Sequence, residues 1–211
     1  MAGSNGTRRP RNRRDLILKA AARLFYEKGY ENTTVRELAE AVDMQSGSLF
    51  FHFGSKEEIL LAVLESASLH AEANLKGALA DAQTPLEKLS AVFHAHLRTV
   101  LDDERRVYTI VLRDWRPLSP QSRKKVIALR DKYERVIAEV LDEVAQSGLI
   151  PHDIRLFRLF LLGALNWTVQ WYRSGGEFTI DELAEKFLSI VLSNRRARRH
   201  AGTAPLKITN H

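Results

Sequence analysis

Helix-start signals recur along this chain and constrain its fold more than any other feature. Such a signal is a Ser or Thr followed three residues later by Glu, a capping box in which hydroxyl and carboxylate each satisfy an otherwise unpaired backbone donor. The boxes pair Thr34 with Glu37, Ser55 with Glu58, Thr84 with Glu87 and Thr179 with Glu182. No segment shows the strict alternation of apolar and polar residues that is typical of a strand. The sequence therefore predicts an all-α protein.

The spacing of apolar residues supports the same fold. Ile17, Ala21 and Phe25 recur every four residues before Gly29, which predicts one buried helical face that ends in a left-handed cap. The longest helix is expected to start at Ser119 and to stop before Gly148. Together these patterns predict about nine helices. Three short ones come first and a larger helical domain follows.

The excess positive charge of the chain is concentrated near its two ends. The formal net charge is +6. The clustered arginines are Arg8, Arg9, Arg11, Arg13 and Arg14 near the start, and Arg195, Arg196, Arg198 and Arg199 near the end. This distribution favours a polyanionic partner such as nucleic acid. The chain has no cysteine, which excludes disulfides and thiolate chemistry, and a cytoplasmic location is expected.

Signals for membrane insertion, metal binding and catalysis are missing from the sequence. The longest apolar run, residues 159–165, is far shorter than the roughly 20 residues that span a bilayer. His94 and His96 lie about 200 degrees apart around a helix, which is poor geometry for a shared metal ion. There is no glycine-rich phosphate loop, no nucleophile elbow and no zincin motif. We therefore expect no enzyme activity, no cofactor, no metal and no membrane partner.

Residues 34–53 read as two short helices joined by a tight turn at Asp43. The first helix starts at the Thr34 capping box, and the second covers about 45–51. This is the geometry of a helix-turn-helix, in which the second helix enters the DNA major groove while the first crosses the backbone. Gly47 and Ser48 on the second helix are small enough for close approach to DNA.

The stretch from residue 14 to 64 resembles the N-terminal domain of the TetR family of transcriptional repressors, most clearly in GSLFFHFGSKEEIL after TTVRELAEAV. The resemblance implies an Ω-shaped homodimer that binds a double-stranded, palindromic DNA operator and is released by an inducer. The residues expected to contact DNA are Arg13, Arg14, Thr34, Arg36, Gln45, Ser46, Gly47, Ser48, Phe50, His52 and Lys56. Lys56, Thr34 and Arg36 are expected to meet phosphates beside helix N-termini.

Three residues depart from the family pattern. Asp43 replaces the usual turn glycine, but aspartate tolerates left-handed backbone better than most residues, so the turn should form. Gln45 is a poor helix cap, and its amide is free to read an adenine edge. Phe50 stands where tyrosine is common, which removes a hydroxyl but keeps apolar contact with a sugar or a thymine methyl.

The second half of the chain has apolar stripes wide enough to line a cavity as well as a core. The segment GALNWTVQWYRSGGEFTIDELAEKFLSIVL resembles TetR-type regulators of fatty acid and steroid catabolism, whose inducers are often acyl-CoA thioesters. The candidate ligand-binding residues are Phe93, His96, Leu97, Tyr108, Arg113, Trp115, Trp167, Trp171 and Arg173. The candidate dimer-interface residues are Leu162, Trp167, Leu183, Phe187, Ile190 and Val191.

These inferences divide the chain into four segments. We expect a flexible basic arm at 1–12, a DNA-binding domain at 13–55, a ligand-binding and dimerisation domain at 56–196 and a flexible tail at 197–211. The helix from Ser55 to about Ala80 is the expected lever between the two domains. Two alternatives stay open: an architectural protein that binds DNA without sequence preference, and a repressor that responds to a hydrophobic ligand other than a CoA thioester.

Overall fold

The computed structural model describes residues 10–101 and 117–200, and it describes side chains over 13–101 and 117–193. All regular elements in these ranges are helices, which confirms the all-α prediction. The eight helices are α1 (Pro10–Lys28), α2 (Val35–Glu40), α3 (Ser46–Leu49), α4 (Lys56–Ala80), α5 (Pro85–Leu101), α6 (Pro120–Gln146), α7 (Ile154–Trp171) and α8 (Ile180–His200). The predicted helix that carries Tyr108 and Trp115 lies outside the described residues.

Three of the four capping boxes form as the sequence predicts. The Thr34 hydroxyl accepts a hydrogen bond from the Glu37 N–H while the Glu37 carboxylate accepts one from the Thr34 N–H. Thr84 with Glu87 and Thr179 with Glu182 make the same reciprocal pairs. The remaining box is half formed. The Ser55 hydroxyl accepts from the Glu58 N–H, but the Glu58 carboxylate accepts instead from the Gly54 N–H, at 2.6 Å.

The predicted turns also form. Gly29 ends α1 with φ of +81°, and its N–H donates to the Phe25 carbonyl at 3.0 Å. Asp43 has φ of +54°, so the turn between α2 and α3 survives without the usual glycine. Helix α3 is shorter than the predicted 45–51. Helix α1 begins at Pro10, inside the segment predicted as an arm, and α8 continues to His200. Residues 1–9 and 201–211 lie outside the described residues.

The helix-turn-helix belongs to a compact unit that extends past the boundary predicted at residue 55. Among the described residues this first unit contains 10–72 and 117–132. Its core includes Ile17, Phe25, Leu38, Leu49, Phe53, Leu60, Leu64, Leu118 and Val126. Leu118 and Val126 are far from the others in sequence, so the DNA-binding head is completed by a segment that comes after α5.

The second unit contains residues 73–101 and 133–200 of the described chain. In it, α5 packs against both α7 and α8. Its buried apolar residues include Leu89, Phe93, Leu97, Ile137, Leu141, Leu161, Leu165 and Leu188. None of the described helices combines the length and apolar character needed to cross a bilayer.

Candidate DNA-binding surface and ligand-binding unit

The second helix of the helix-turn-helix, α3, is anchored from beneath and open above. Leu49 is fully buried in the core of the first unit. Gln45, Gly47 and Phe50 are exposed, and Ser46 and Ser48 are partly exposed. A Cβ added at Gly47 would meet no other atom within 4 Å, so the surface there is clear. This arrangement leaves the predicted base-reading positions available to a partner.

Phe51 adds an apolar group that the sequence analysis did not include. Its side chain is 91% exposed, and that of Phe50 is 51% exposed. Leu49 and Phe53, four residues apart, are both buried. Helical periodicity therefore already placed Phe51, which lies between them, on the outward side. The two phenyl rings form an apolar edge without hydroxyl groups beside the small residues of α3.

Gln45 is a poor helix cap, as predicted. It occupies the position before α3 with φ of −77° and ψ of 145°, and its side chain makes no capping hydrogen bond. The first turn of α3 is held instead by its backbone, because the Ser48 N–H donates to the Gln45 carbonyl at 2.9 Å. The Gln45 amide is therefore not committed to the helix that it precedes.

Thr34 and Arg36 already have partners within the protein. The Thr34 hydroxyl donates to Glu37 at 2.8 Å, and Arg36 Nε donates to Glu40 at 2.8 Å. Lys28 Nζ also donates to Glu37, at 2.6 Å. The pKa of Glu37 falls from 4.5 to about 2, chiefly because of the Lys28 hydrogen bond and then those from Thr34. Arg36 is exposed and could exchange Glu40 for a phosphate, whereas Thr34 is fixed in its cap.

Lys56 is turned towards the protein rather than towards the predicted phosphate. Its Nζ donates to the carbonyls of Tyr30 at 2.9 Å and Thr33 at 3.0 Å. The same Nζ lies 4.2 Å from the centroid of the Tyr30 ring. An ammonium group has three N–H donors, and these contacts engage most of them. Lys56 therefore stabilises the turn between α1 and α2, and we no longer assign it to a phosphate.

The remaining residues of the predicted DNA surface lie in α1 and just after α3. Arg13 and Arg14 are exposed, and the guanidinium carbon of Arg14 lies 4.5 Å from the centroid of the Phe53 ring. This cation–π contact holds Arg14 next to the end of the helix-turn-helix. His52 is half-buried. The side chains of Arg8, Arg9 and Arg11 lie outside the described residues.

A buried histidine joins three helices of the second unit. His96 Nδ1 lies 2.9 Å from the Tyr133 hydroxyl, and its Nε2 lies 2.9 Å from Asn166 Oδ1. The amide oxygen can only accept, so Nε2 carries the proton and Nδ1 accepts from the hydroxyl. Burial lowers the pKa of His96 from 6.5 to about 4, although the Asn166 hydrogen bond acts in the opposite direction. The imidazole is therefore neutral at physiological pH.

The predicted ligand-binding residues fall into separate groups. Phe93, His96 and Leu97 are buried along α5. Trp167 and Trp171 are 65% and 45% exposed on α7, and Arg173 is exposed just after that helix. The two tryptophans share one face, as their spacing predicted, but that face is not the buried one. Tyr108, Arg113 and Trp115 lie outside the described residues.

Comparison with protein families accounts for both units. The family model described as "Bacterial regulatory proteins, tetR family" matches residues 17–63, and a "Tetracyclin repressor-like, C-terminal domain" model matches 82–194. The chain belongs to the TetR family of transcriptional regulators. The predicted resemblance is confirmed, and so is the prediction that the protein is a DNA-binding regulator and not an enzyme.

Relatives of this TetR-family regulator include repressors of lipid metabolism. The transcriptional repressor KstR2 of Mycolicibacterium smegmatis is 31% identical over 187 residues, which are 87% of this chain and 90% of KstR2. KstR2 of Mycobacterium tuberculosis is described as a ketosteroid transcriptional regulator. The fatty acid metabolism regulator of Bacillus subtilis is 24% identical over 84% of this chain and 92% of its own length.

Solved structures show the same fold over nearly their whole length. The superantigen PfiT has a TM-score of 0.78 and 41% identity, and the alignment covers 88% of this chain and 98% of PfiT. AibR, crystallised with isovaleryl coenzyme A and operator DNA, has a TM-score of 0.78 and 27% identity, with 85% of this chain and 98% of AibR covered.

One face of the regulator's second unit is apolar yet exposed. It carries Leu156, Leu159, Phe160, Trp167 and Trp171 on α7 and Ile190 on α8. Gly163 lies among the α7 residues, and a Cβ built there would meet no other atom within 4 Å. Trp167 and Ile190 were predicted for the dimer interface, and Phe187 and Val191 are partly exposed. Leu162 and Leu183 are buried inside the chain, so they have almost no surface left for a partner and are removed from the predicted interface.

A surface depression lies between α5 and the start of α8. It has a volume of about 300 Å³, and its lining includes Arg98, Tyr172, Phe178 and Asp181. Arg98 and Asp181 form an exposed ion pair across it at 2.9 Å. Because the cation is paired and the lining is partly polar, the depression does not resemble the apolar slot that an acyl chain needs.

Proposed function

We propose that this TetR-family regulator binds a palindromic DNA operator as a homodimer and is released from it by a small-molecule inducer, with acyl-CoA thioesters as the leading class. The observation that carries the proposal is the geometry of α3. One buried leucine anchors the helix, while uncommitted polar, small and apolar groups face outward. A surface of this kind fits the roughly 12 Å major groove and has no role in holding the first unit together.

Different parts of the head are assigned different tasks. Gln45, Ser46 and Ser48 are positioned to read base edges through hydrogen bonds. Phe50 and Phe51 offer apolar contact to sugars and thymine methyl groups, because neither can donate to a phosphate. The cations that remain for the backbone are listed here: Arg13, Arg14 and Arg36 in the described residues, and Arg8, Arg9 and Arg11 before them. Phosphate contacts position the head, whereas base contacts specify the sequence.

A second copy of the chain is the proposed occupant of the apolar face on α7 and α8. An exposed patch that contains two tryptophans, a phenylalanine and several aliphatic residues is typical of a protein interface. Gly163 lies in this patch with open space above it, so a partner helix can approach closely. Two-fold symmetry would give the operator matching half-sites about one helical turn apart, or a multiple of it.

The proposed inducer class rests on the relatives and on the composition of the second unit. AibR was crystallised with isovaleryl coenzyme A, and this chain aligns with nearly all of AibR. An acyl-CoA needs an apolar slot for the acyl chain and cations for the phosphates. Tyr108, Arg113 and Trp115 supply such groups close together in sequence, and Arg173 supplies another cation. The ligand would act by favouring a conformation that does not fit the operator.

The decisive experiment uses the purified full-length chain and a random-sequence duplex library at near-physiological salt. Enrichment of one palindrome is the expected result, and the enriched duplex is then titrated in the presence of isovaleryl-CoA or palmitoyl-CoA. Free CoA and the free fatty acids are the matched controls. A coupling of about 1–3 kcal/mol would weaken operator binding roughly 5- to 150-fold.

Each outcome of this titration has a distinct meaning. Release by thioesters but not by free CoA or free acids supports the whole proposal. Release by the free acids alone would favour a hydrophobic inducer without CoA. Salt-dependent binding with no enriched sequence would overturn the operator proposal and favour the architectural alternative.

A further inference from the structure

The first turn of α4 contacts two distant parts of the DNA-binding head through adjacent residues. Lys56 reaches back to the turn between α1 and α2, while Glu57 contacts Ser119, which precedes α6. These partners are more than 80 residues apart along the chain, although all of them belong to the first unit. The first turn of α4 is therefore a junction between the helix-turn-helix and a segment from much later in the sequence.

Glu57 caps the start of α6 from outside that helix. The Ser119 N–H donates to Glu57 Oε1 at 2.9 Å. This bond, with hydroxyl hydrogen bonds from Ser119 and Ser122, lowers the pKa of the Glu57 carboxyl. Near a helix N-terminus, a carboxylate satisfies free N–H groups and interacts favourably with the helix dipole. The bond therefore favours both the start of α6 and its attachment to α4.

The segment that Glu57 holds is part of the core of the head. We call residues 117–126 the closing segment. Its Leu118 and Val126 are buried in the same cluster as Phe25, Leu49 and Ile59. The Leu118 carbonyl also accepts from Arg123 Nε at 2.9 Å, which ties the entrance of α6 to its own first turn. Withdrawal of the closing segment would expose apolar surface in the core that anchors α3.

The other side of the junction leads to the helix-turn-helix. Lys56 Nζ holds the carbonyls of Tyr30 and Thr33, and Thr33 directly precedes the cap of α2. The buried Thr33 hydroxyl donates to the Gly29 carbonyl at 2.8 Å, which closes the same turn. A shift of the first turn of α4 would therefore be transmitted to the start of α2 through hydrogen bonds, without any DNA or ligand contact.

We propose that the closing segment controls the DNA-binding surface, and that Glu57 and Lys56 are the positioning residues that connect the two. The closing segment begins two residues after Trp115, with which it shares the chain stretch predicted to contact the inducer. For its use in induction the proposal rests on the proposed function. Ligand contact at 108–115 would pull on Leu118 and Ser119, and the junction would pass the change to α2 and α3.

The test is hydrogen exchange, followed by mass spectrometry, on the full-length chain without DNA or ligand. Glu57→Ala removes the acceptor, Glu57→Gln keeps a neutral acceptor, and Glu65→Ala is the matched control on the same helix. We expect Glu57→Ala to accelerate exchange about 5- to 30-fold in 117–126 and also in 34–53, as loss of a charge-assisted hydrogen bond would. Residues 133–171 should exchange as in the wild type. Glu57→Gln should restore most of the protection, and Glu65→Ala should change little.

Several outcomes would overturn this proposal. Acceleration confined to 117–126 would show a local cap with no link to the helix-turn-helix, and uniform acceleration would show general destabilisation. No acceleration at all would show that the bond is dispensable. Operator titration separates this proposal from the proposed function. If the wild type enriches no duplex, the operator proposal fails while the exchange result still decides the junction. If the wild type binds its operator, Glu57→Ala should weaken that binding about tenfold, and unchanged affinity would contradict the junction.

Discussion

His96 Nε2 lies 2.9 Å from Asn166 Oδ1, although the two residues are 70 positions apart in the sequence. The opposite ring nitrogen accepts from the Tyr133 hydroxyl, so one neutral imidazole links α5, α6 and α7. A fully paired polar group in an apolar core specifies one arrangement of its helices, because any other arrangement would leave a buried donor or acceptor unsatisfied. The second unit therefore has a defined packing in a region where ligand-induced change is proposed.

Tyr133→Phe should destabilise the second unit without altering its shape. The substitution removes only the hydroxyl and leaves His96 Nδ1 buried with one fewer donor. We expect a loss of about 1–3 kcal/mol in the free energy of unfolding, measured by urea denaturation. Glu139→Ala, at an exposed position on the same helix, is the control and should change little. A stability equal to wild type would show that the hydroxyl contributes nothing to the packing.

The burial of His96 also predicts a pH dependence of stability. Its folded-state pKa of about 4 lies below the ordinary 6.5, so between these values the unfolded chain binds a proton that the folded chain does not. The contribution is therefore complete above pH 6.5 and is lost as the pH falls towards 4. The slope between pH 6.5 and 5 should be shallower for His96→Gln by up to about 1.4 kcal/mol per pH unit. His152→Gln, at an exposed position, should keep the wild-type slope, and equal slopes for all three proteins would contradict the burial argument.

The elements that the sequence predicted correctly depend on residues close together in the chain. A capping box links positions three apart, and the left-handed turn at Asp43 is a property of one residue, so both could be read directly. Lys56 shows the limit of local patterns. Its position in the first turn of α4 indicated a phosphate contact, but the carbonyls that it binds belong to residues 23 and 26 positions earlier. Only the folded chain brings those carbonyls to the ammonium group.

Helix α7 shows why the predicted interface was partly wrong. The helix is apolar nearly all round, so periodicity marks no single inward face. Leu161 and Leu165 are buried on one side, whereas Phe160 and Trp167 are exposed on the other. Leu162 was assigned to the interface although it faces the core, because packing against α5 decides which side is inside. The closing segment escaped prediction for a similar reason, since nothing in the sequence near Leu118 indicates that it completes the head.

The exposed face of α7 predicts that one charged substitution will separate the dimer. Trp167→Arg places a cation at the centre of the apolar face without disturbing the core, because Trp167 is 65% exposed. We expect the wild type to sediment as a dimer at micromolar concentration and the variant to dissociate at least about tenfold more readily. Leu86→Arg, at another exposed apolar position of the second unit, is the matched control. A variant that remains as tight a dimer as the control would place the interface elsewhere.

The apolar edge of α3 predicts a dependence on thymine methyl groups. Replacing single thymines of the enriched operator with deoxyuridine removes only the 5-methyl group. At the position that Phe51 contacts, this change should weaken wild-type binding about fourfold, since the lost burial corresponds to one methyl group. For Phe51→Ala the same replacement should have no effect, so the two changes are not additive in a double-mutant cycle. Phe51→Tyr should keep the thymine dependence, and Phe50→Ala reports whether the neighbouring ring contacts a different thymine. If no uracil replacement distinguishes wild type from Phe51→Ala, the exposed ring does not read a thymine methyl.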